Sequence, residues 1–399
     1  MTFISQSLWV HRVPRWPTTA DLGRRGWVVL RQALTPVGLT GVVLGLWGCL
    51  AIFNATVHLS QPLLFVGRQL IWLVLAIMAL VVASLLPSRI WGRVLPAMTV
   101  SAYVLLWLVL WLGVRINGMR GWFAWHGIFV QPSEFAKPVF ALALAYVMMR
   151  TAGRRTEFWR GFVPALLLFG LWAVPLALEP DFGALLVYGL TFIAVVWTMG
   201  ARTRHLLYAG LGLLPCAIGI VLSKPYVLHR LLGFLQPERY AQSHGWHIAQ
   251  FQRTLASGGL FGQSWGHGIW TQSHLPLGYS DSIFASLAES IGCLGVLPLI
   301  LLVLVWVAYG LQKVTVDGDR FRATAILGMV VFLAVQSLIH LSVNLGLLPT
   351  TGITLPLISY GGSSLVSSLA MIGMVESLAR DGRGGAAASE TAGKAAQAC

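Results

Sequence analysis

Long hydrophobic runs alternate with short polar segments along most of this chain. Apolar segments of about 18 or more residues are typical of transmembrane helices, because a backbone surrounded by lipid must bond to itself. The pattern predicts an all-α polytopic membrane protein whose membrane domain covers residues 36–380. We place its ten spans near 36–56, 64–86, 95–114, 134–150, 161–178, 183–200, 205–224, 283–311, 323–347 and 357–379.

Residues 225–282, between the seventh and eighth predicted spans, interrupt this pattern. They include five of the ten histidines, three arginines, many glycines and only two acids, Glu238 and Asp281. The segment is too polar to cross a bilayer, so we expect a large loop. A glycine-rich, mildly basic loop on a helical membrane body is a suitable place to bind an anionic, lipid-linked substrate. The functional site is therefore expected in or beside this loop.

The basic residues predict how the chain is oriented. Nineteen of the 27 lysines and arginines fall at one set of span ends, which the positive-inside rule makes cytoplasmic. An even number of spans then places both termini in the cytoplasm and the segment 225–282 outside. Residues 1–35 are predicted to be a cytoplasmic tail. The Gly/Ala-rich residues 381–399 are predicted to be a disordered cytoplasmic tail.

Composition excludes several function classes. Hydrophobic residues make up 57% of the chain and charged residues 10%, with a mean hydropathy of +0.76. Soluble domains contain about 25% charged residues. The net charge of +14 is spread over span ends and is not clustered as a nucleic-acid footprint would be, so no nucleic-acid partner is expected. The four cysteines lie in or beside spans or at the C-terminus and imply no disulfide framework.

Ionisable residues in or beside membrane spans are costly, so each is a functional candidate. Glu134 and Lys137 stand three residues apart and can pair on one helix face, either to close the helix start or to contact substrate. Arg68 opens the second span, where it can reach lipid headgroups or face a diphosphate. Asp181, which follows Glu179 at an outer turn, is predicted to cap the next helix.

Asp281 lies where the long loop meets the eighth predicted span, and Glu289 follows eight residues later. That spacing, slightly more than two helical turns, would place both acids on roughly the same helix face. Apolar surroundings would raise the pKa of a carboxylate and suit it to proton transfer near neutral pH. The alternative is an N-cap, because Ser280-Asp281 before an apolar run is favourable capping chemistry. Spacing alone does not decide between them.

Two further groups have competing interpretations. His244 and His247, three residues apart, could suggest a metal, but no cysteine or acid accompanies them at a recognised spacing. Polar loop histidines are the preferred interpretation. Ser363 and Ser364 follow two glycines at the start of the last span and could donate hydrogen bonds to phosphate. Small residues there also permit close helix packing, which is the preferred interpretation.

Four motifs, in order, resemble those of the SEDS proteins, the FtsW, RodA and SpoVE-type glycan polymerases of bacterial cell-wall synthesis. They are QPSEFAKP (131–138), EPDFG (179–183), the long loop running into SDSIFASLAESIG (280–292), and GLLPTTGITLPLISYGGSSL (346–365). The resemblance covers about residues 36–380. It implies a ten-span fold with a large outer loop between spans seven and eight.

The resemblance also implies a peptidoglycan glycosyltransferase that polymerises lipid II, the undecaprenyl-diphosphate-linked disaccharide, into β-1,4 glycan strands. The invariant acid of the family's loop motif falls on Asp281, the predicted base for the acceptor's 4-hydroxyl. The diphosphate leaving group needs cationic or hydrogen-bonding partners. Candidates for shaping the cavity or binding substrate are Glu134, Lys137, Arg68, Arg230, Gln250, Glu289, Ser363 and Ser364. A divalent cation, Mg²⁺ or Mn²⁺, could also help, although the sequence fixes no ligand set.

The chain departs from the family pattern near its most informative motifs. Ser273 and Thr351 stand where lysines are common, and Leu277 stands where a glutamate is common. His340 replaces a usual asparagine. Loss of two cations predicts either weaker diphosphate binding or replacement by the arginines and histidines of the loop.

Partners and location follow from the resemblance. It implies lipid II as substrate, a class B penicillin-binding protein (a transpeptidase) as partner, contacts with other division or elongation membrane proteins, and a place in the bacterial cytoplasmic membrane. Two alternative functions are a flippase for lipid-linked precursors and a catalytically inactive scaffold of the cell-wall machinery. The outward position of Asp281 favours the polymerase, since a flippase needs access from both membrane faces.

Overall fold

The computed structural model describes residues 35–397, apart from residues 117, 224, 241, 244 and 315–318. The helices are α1 (Pro36–Thr56), α2 (Pro62–Leu85), α3 (Ser88–Leu112), α4 (Pro132–Arg150), α5 (Val163–Leu178), α6 (Phe182–Thr198), α7 (Thr203–Ser223), α8 (Pro225–Leu235), α9 (Trp246–Gly258), α10 (Ile269–Ser273), α11 (Ile283–Gln312), α12 (Arg320–Asn344) and α13 (Gly362–Gln397). The strands are β1 (Val114–Ile116), β2 (Met119–Trp125) and β3 (Ile128–Val130). A 3₁₀ turn (Ala152–Arg154) and a π-helical turn (Phe158–Phe162) precede α5.

The membrane body is helical, as the hydrophobic pattern predicts. Helices α1 to α7 and α11 to α13 each overlap one of the ten predicted spans. Within the described residues, seven helices are long and apolar enough to cross a membrane, and α6 is a shorter apolar helix. The chain is therefore a multi-pass membrane protein. The largest difference between a predicted and an observed helix start is at α3, which begins at Ser88 rather than near residue 95. The helix continues through Pro96.

A small antiparallel sheet between α3 and α4 corrects the all-α prediction. Strands β2 and β3 form a hairpin in which Trp125 pairs with Ile128. The two-residue turn, His126 and Gly127, has φ values of 46° and 80°. Two positive φ values suit the twist of a tight hairpin. His-Gly differs from the Asn-Gly and Asp-Gly pairs that usually identify such turns, so the hairpin was not predicted from the sequence.

The long loop contains helices that the sequence pattern did not predict, and parts of both chain ends lie outside the described residues. The loop 225–282 folds into three helices, α8 to α10. Helix α13 extends to Gln397, and the assignment of residues 381–399 to a disordered cytoplasmic tail stays a prediction. The predicted cytoplasmic tail up to residue 34, the last two residues and His244 lie outside the described residues.

Helices α12 and α13 form the centre of the bundle, and α13 packs most extensively against α2. Small residues allow this approach: a Cβ on Gly373 would lie 2.4 Å from the carbonyl oxygen of Leu80. An aromatic cluster fills the interior between α4, α6 and α12. The ring centroids of Tyr188 lie 5.2 Å from Phe140 and 5.0 Å from Phe332. Close packing of small and aromatic side chains therefore holds the bundle together.

The loop 225–282 is joined to α11 by backbone hydrogen bonds at a break in that helix. Gly292 has φ of 72° and ψ of 174°, which interrupts the helical hydrogen-bond ladder. The amides of Cys293 and Leu294 donate to the carbonyl oxygens of Gly259 and Leu260, at 2.9 and 3.1 Å. The loop therefore supplies the acceptors that a regular helix would have supplied.

Glycine is required on both sides of this contact. A Cβ on Gly292 would lie 2.3 Å from the carbonyl oxygen of Leu260, and one on Gly262 would lie 2.4 Å from that of Ser290. A Cβ on Gly258 would lie 2.1 Å from the carbonyl oxygen of Ala288. Neither backbone can move away without losing the hydrogen bonds described above.

We predict that Gly292→Ala lowers stability by about 2 kcal/mol or more, because it combines a clash with a left-handed φ that alanine avoids. The midpoint of thermal unfolding in detergent is the measurement. Gly170→Ala is the matched control, since Gly170 is helical and a Cβ there meets nothing within 4 Å. The control should unfold at or slightly above the wild-type temperature, and equal effects of the two changes would contradict the prediction.

Candidate functional site

Asp281 lies in the turn that joins the loop 225–282 to α11. The helix begins at Ile283, and its N-cap residue, Ser282, makes no side-chain cap. Asp281 is therefore not the N-cap that the sequence left open as an alternative. Its side chain is partly buried, and within the described residues its Oδ1 is buried without a hydrogen-bond partner. Oδ1 therefore has acceptor capacity that the described residues do not use.

The backbone around Asp281 is fixed by polar side chains from two other elements. Asn344 of α12 donates from Nδ2 to the carbonyl oxygen of Asp281 at 3.0 Å and accepts at Oδ1 from the amide of Ala285 at 3.2 Å. Ser359, in the segment before α13, donates to the carbonyl oxygen of Ser280 at 2.6 Å. These contacts orient the turn while leaving the Asp281 side chain free of them.

His340, one turn before Asn344, completes this support. Its Nδ1 lies 2.8 Å from the carbonyl oxygen of Ile353, and its Nε2 lies 3.3 Å from Nδ2 of Asn344. A carbonyl oxygen can only accept, so Nδ1 carries the proton and Nε2 is the acceptor. Histidine in place of the usual asparagine therefore still orients the residue that holds Asp281.

Three aromatic rings form one wall beside the turn. Tyr279 lies 5.0 Å from Phe65 and 5.6 Å from Tyr360 between ring centroids. The amide of Tyr360 donates to the carbonyl oxygen of Tyr279 at 2.9 Å. Burial raises the pKa of Tyr279 above its ordinary value, and the neighbouring Tyr360 and Asp281 add to that shift. Tyr279 is thus a neutral hydrogen-bonding group near Asp281.

Electrostatics distinguish Asp281 from an ordinary surface acid. Burial raises its pKa from 3.8 to about 6, whereas its own backbone and the positive charge of Arg230 lower it. Arg230 belongs to α8, and its Nη1 donates to the carbonyl oxygen of Thr350 at 3.1 Å. The loop therefore brings a guanidinium towards Asp281, beside Thr351, where a lysine is common in the family pattern. A pKa near 6 suits a base that works at neutral pH.

Glu134 and Lys137 form the predicted ion pair, with 2.6 Å between Lys137 Nζ and Glu134 Oε2. Both side chains are buried. The same Nζ donates to Gln336 Oε1 at 2.7 Å, and Gln336 Nε2 donates to the carbonyl oxygen of Thr354 at 3.0 Å. The ion pair and the further hydrogen bond from Lys137 to Gln336 offset the cost of burying the two charges.

The buried pair connects to the start of α13 and to the turn before α6. Ser367 donates to the carbonyl oxygen of Glu134 at 2.6 Å, and Ser363 Oγ accepts from the amide of Gln131 at 3.0 Å. Gln131 Nε2 donates to Asp181 Oδ2 at 3.1 Å. Asp181 also accepts from the amide of Ala184 at 2.8 Å, which confirms its predicted N-cap.

The remaining candidates lie apart from Asp281. Glu289 is fully buried, and its carboxylate accepts from the amides of Trp270 and Thr271, both at 2.8 Å. It therefore anchors α10, and the expectation that it shares a helix face with Asp281 is wrong because the helix begins only after Asp281. Arg68 is exposed, with Nη2 near Gly127 of the hairpin turn. Roles of both in substrate binding stay predictions.

Gln250 and Ser364 are buried candidates. Gln250 is 2% exposed, and within the described residues its Oε1 has no hydrogen-bond partner. Ser364 Oγ accepts from Thr354 Oγ1 at 3.2 Å, so it belongs to the same polar network as Gln336. Gln336, Asn344 and Ser359 are not among the residues predicted from the sequence. Polar residues within an apolar span, such as the first two of these, were the available signal.

Glu179 is a buried acid whose environment the sequence did not reveal. It is fully buried, and both carboxylate oxygens lack a hydrogen-bond partner within the described residues. Gly121 of β2 covers it, since a Cβ there would lie 3.2 Å from Oε2. Burial raises the pKa of Glu179 to about 9, and the charge of Asp181 adds to that shift. Glu179 is therefore protonated at neutral pH.

The described residues do not include a group of side chains arranged to bind a metal ion. Within the described part of the chain, no three His, Cys, Asp or Glu side chains are grouped to hold a metal ion. His244 and His247 were interpreted as polar loop histidines rather than metal ligands, and His244 lies outside the described residues.

Residues 33–384 match the model of a family of cell cycle proteins that includes FtsW, RodA and SpoVE. This chain is a member of that family. Among curated FtsW, RodA and SpoVE proteins, it is 33% identical to a probable peptidoglycan glycosyltransferase FtsW of Thioalkalivibrio sulfidiphilus, over 90% of this chain and 92% of the relative. It is 32% identical to the stage V sporulation protein E of Bacillus subtilis, over 89% and 96% of the two chains.

Solved structures of the family share the fold. The rod shape determining protein RodA of Thermus thermophilus aligns with a TM-score of 0.65 at 27% identity, covering 87% of this chain and 96% of that one. A chain from work on "structural coordination of polymerization and crosslinking by a peptidoglycan synthase complex" aligns with a TM-score of 0.71 at 28% identity, over 86% and 97%.

We predict that Glu179→Gln stabilises the protein increasingly from pH 5 to pH 8. The folded state retains the Glu179 proton up to about pH 9, whereas the unfolded chain releases it above about 4.5. Rising pH therefore favours the unfolded wild type across this window, and glutamine removes the effect. The measurement is the thermal unfolding midpoint at each pH. Glu157→Gln, at an exposed acid, is the control, and a constant difference for Glu179→Gln would contradict the assignment.

Proposed function

We propose that this chain is a peptidoglycan glycosyltransferase that polymerises lipid II into β-1,4 glycan strands at the outer face of the bacterial cytoplasmic membrane. The observation that carries the proposal is the Asp281 carboxylate. The backbone of Asp281 is held by Asn344, and its side-chain Oδ1 has no hydrogen-bond partner within the described residues. Its pKa is about 6, and the charge of Arg230 acts on it. Relatives named as peptidoglycan glycosyltransferases support the reaction class.

The proposed reaction needs one base and one stabilised leaving group. Asp281 accepts the proton of the acceptor's 4-hydroxyl as that oxygen bonds to the anomeric carbon of the donor. The bond from the anomeric carbon to the diphosphate oxygen breaks, its electron pair leaves with undecaprenyl diphosphate, and the configuration inverts. A base with a pKa near 6 is mostly ionised at neutral pH and accepts the proton as the hydroxyl becomes acidic in the transition state.

The leaving diphosphate carries the charge that the protein must balance. Arg230 is the proposed cation, because it is bonded to the segment holding Thr350 and Thr351 and faces Asp281. It would take over from the lysines that Ser273 and Thr351 replace. A divalent cation, Mg²⁺ or Mn²⁺, would be held mainly by the phosphate oxygens of the substrate. Arg68, exposed near the hairpin, is proposed to contact the lipid-proximal part of the substrate.

The buried network of Glu134, Lys137 and Gln336 supports the site from within. It joins α4 to α12 and, through Thr354 and Ser364, to the segment that holds the Asp281 turn. We assign Glu134, Lys137, Ser363 and Ser364 to shaping the cavity rather than to direct catalysis, because their polar atoms are bonded within the protein. Gln250 is proposed to face the substrate with its unpartnered amide oxygen.

The proposed topology has ten spans, both termini in the cytoplasm and the loop 225–282 outside. Basic residues at one set of helix ends support this orientation. The proposed partner is a class B penicillin-binding protein, in contact with other division or elongation proteins. A similar chain in a peptidoglycan synthase complex that couples polymerisation to crosslinking supports that partnership.

We predict that Asp281→Asn abolishes glycan synthesis, because asparagine keeps the shape of the side chain but cannot accept the proton. The wild-type or variant chain would be reconstituted with its transpeptidase and fluorescent lipid II, and products resolved as glycan ladders on a gel. Activity should fall by about 10² or more. Glu238→Gln removes the other acid of the loop and should leave the ladders unchanged.

The outcomes separate the candidate functions. Ladders of equal intensity from wild type and Asp281→Asn would exclude Asp281 as the base. No ladders from wild type with its proper transpeptidase would favour the flippase or the scaffold. Translocation of labelled lipid II in the same vesicles would then identify the flippase.

We predict that polymerisation slows as the pH falls through about 6, because protonated Asp281 cannot act as a base. Arg230→Gln removes a charge that lowers the pKa of Asp281. In this variant the loss of activity at low pH should therefore begin at a higher pH than in the wild type. Initial rates between pH 5 and 8 at low substrate concentration would measure both. Arg239→Gln, at an exposed loop arginine, is the matched control, and identical profiles for Arg230→Gln and wild type would contradict the proposed pairing.

A further inference from the structure

A cavity of about 490 Å³ lies at the opposite end of the helices from Asp281, between the starts of α5 and α7. Its lining comes from two short segments that are separated in sequence by α5 and α6. The lining residues are Thr156, Glu157, Phe158, Trp159, Arg160, Arg204, His205 and Tyr208. None of these residues contributes to the glycosyltransferase site described above.

His205 forms the buried side of this cavity. Its side chain is 2% exposed, and within the described residues its Nδ1 is buried without a hydrogen-bond partner. The ring packs between Phe158 and Phe162, with centroid distances of 5.3 and 5.7 Å. A buried polar atom without a partner is costly. A ligand atom in the cavity would remove that cost.

The electrostatics of the cavity favour an anion. The π-helical turn Phe158–Phe162 leads into α5, and α7 begins at Thr203, so two helix N-termini converge here with their partial positive charge. Arg160 and Arg204 add two guanidinium groups, and Glu157, an exposed side chain, is the only acid in the lining. Guanidinium groups bind phosphate oxygens well because they donate two parallel hydrogen bonds.

The rim of the cavity is apolar and exposed. Trp159 is 76% exposed and Tyr208 is 58% exposed, and Leu207 and Leu211 of α7 are also exposed. Trp and Tyr at such positions lie at the headgroup level of a bilayer. An anion site that opens between such residues is accessible to a lipid headgroup as well as to a soluble anion.

We propose that this cavity binds a phosphate group, supplied by the headgroup of an anionic phospholipid or by a soluble phosphate ester. Arg160 and Arg204 contact the phosphate oxygens, and His205 Nδ1 contacts the same group from the buried side. The site is independent of lipid II polymerisation, whose proposed chemistry takes place at Asp281.

The test is calorimetric titration of the delipidated, full-length chain in detergent. The probes are dioleoyl-phosphatidylglycerol, dioleoyl-phosphatidylcholine, glycerol 3-phosphate and inorganic phosphate. Saturable binding of phosphatidylglycerol with about one site is expected, and the double change Arg160→Gln/Arg204→Gln should weaken it about tenfold or more. The matched control is Arg89→Gln/Arg93→Gln, which removes two exposed arginines of α3 that do not line the cavity. It should bind as the wild type does.

His205→Phe tests the buried contact, since phenylalanine keeps the aromatic packing but removes the ring nitrogens. It should weaken phosphatidylglycerol binding without lowering the unfolding temperature. Binding of phosphatidylglycerol alone assigns the phosphate to a lipid, and binding of glycerol 3-phosphate or inorganic phosphate as well assigns it to a soluble ester. Equal weakening by both arginine pairs, equal binding of phosphatidylcholine, or no binding of any probe would overturn the proposal.

Discussion

The backbone hydrogen bonds between the loop 225–282 and α11 are the constraint on which the site depends. Gly259 and Leu260 accept from the amides that the break at Gly292 leaves without helical partners. The loop is thereby fixed to a membrane helix at a contact where Gly258, Gly262 and Gly292 leave no room for a Cβ. Asp281 lies two residues before the start of the same helix, so Asp281 and the loop share one rigid support. Arg230, at the other end of the loop, bonds to the segment before α13.

Buried charge is handled in two different ways in this protein. Glu134 and Lys137 neutralise each other and are bonded onward to Gln336, which makes them part of the scaffold. Asp281 and Glu179 have carboxylate oxygens without partners within the described residues. Burial raises the pKa of Asp281 to about 6, with its own backbone and Arg230 limiting the rise, whereas burial and the charge of Asp181 raise the pKa of Glu179 to about 9. The same desolvation therefore leaves one carboxyl ionised at neutral pH and the other protonated.

Periodicity and spacing predicted the parts of this fold that depend on local sequence. Each of the ten apolar runs became a helix, Glu134 paired with Lys137, and Asp181 capped α6. The rest depends on tertiary contacts. No spacing rule could show that Glu289 would anchor α10, or that Asn344 would hold the Asp281 turn. The hairpin at 126–127 lacked the usual turn residues, and the pKa of Glu179 depends on a strand that covers it.

The break at Gly292 also limits which segments can be exchanged between members of the family. The loop 225–282 looks like a self-contained insertion, but its hydrogen-bond partners continue to Leu294, twelve residues into the next helix. A loop transplanted from another family member would meet a helix built for different partners. The smallest exchangeable unit therefore extends from the end of α7 to residue 294. Specialisation of the loop for a new substrate or partner would require matching changes in the first part of α11.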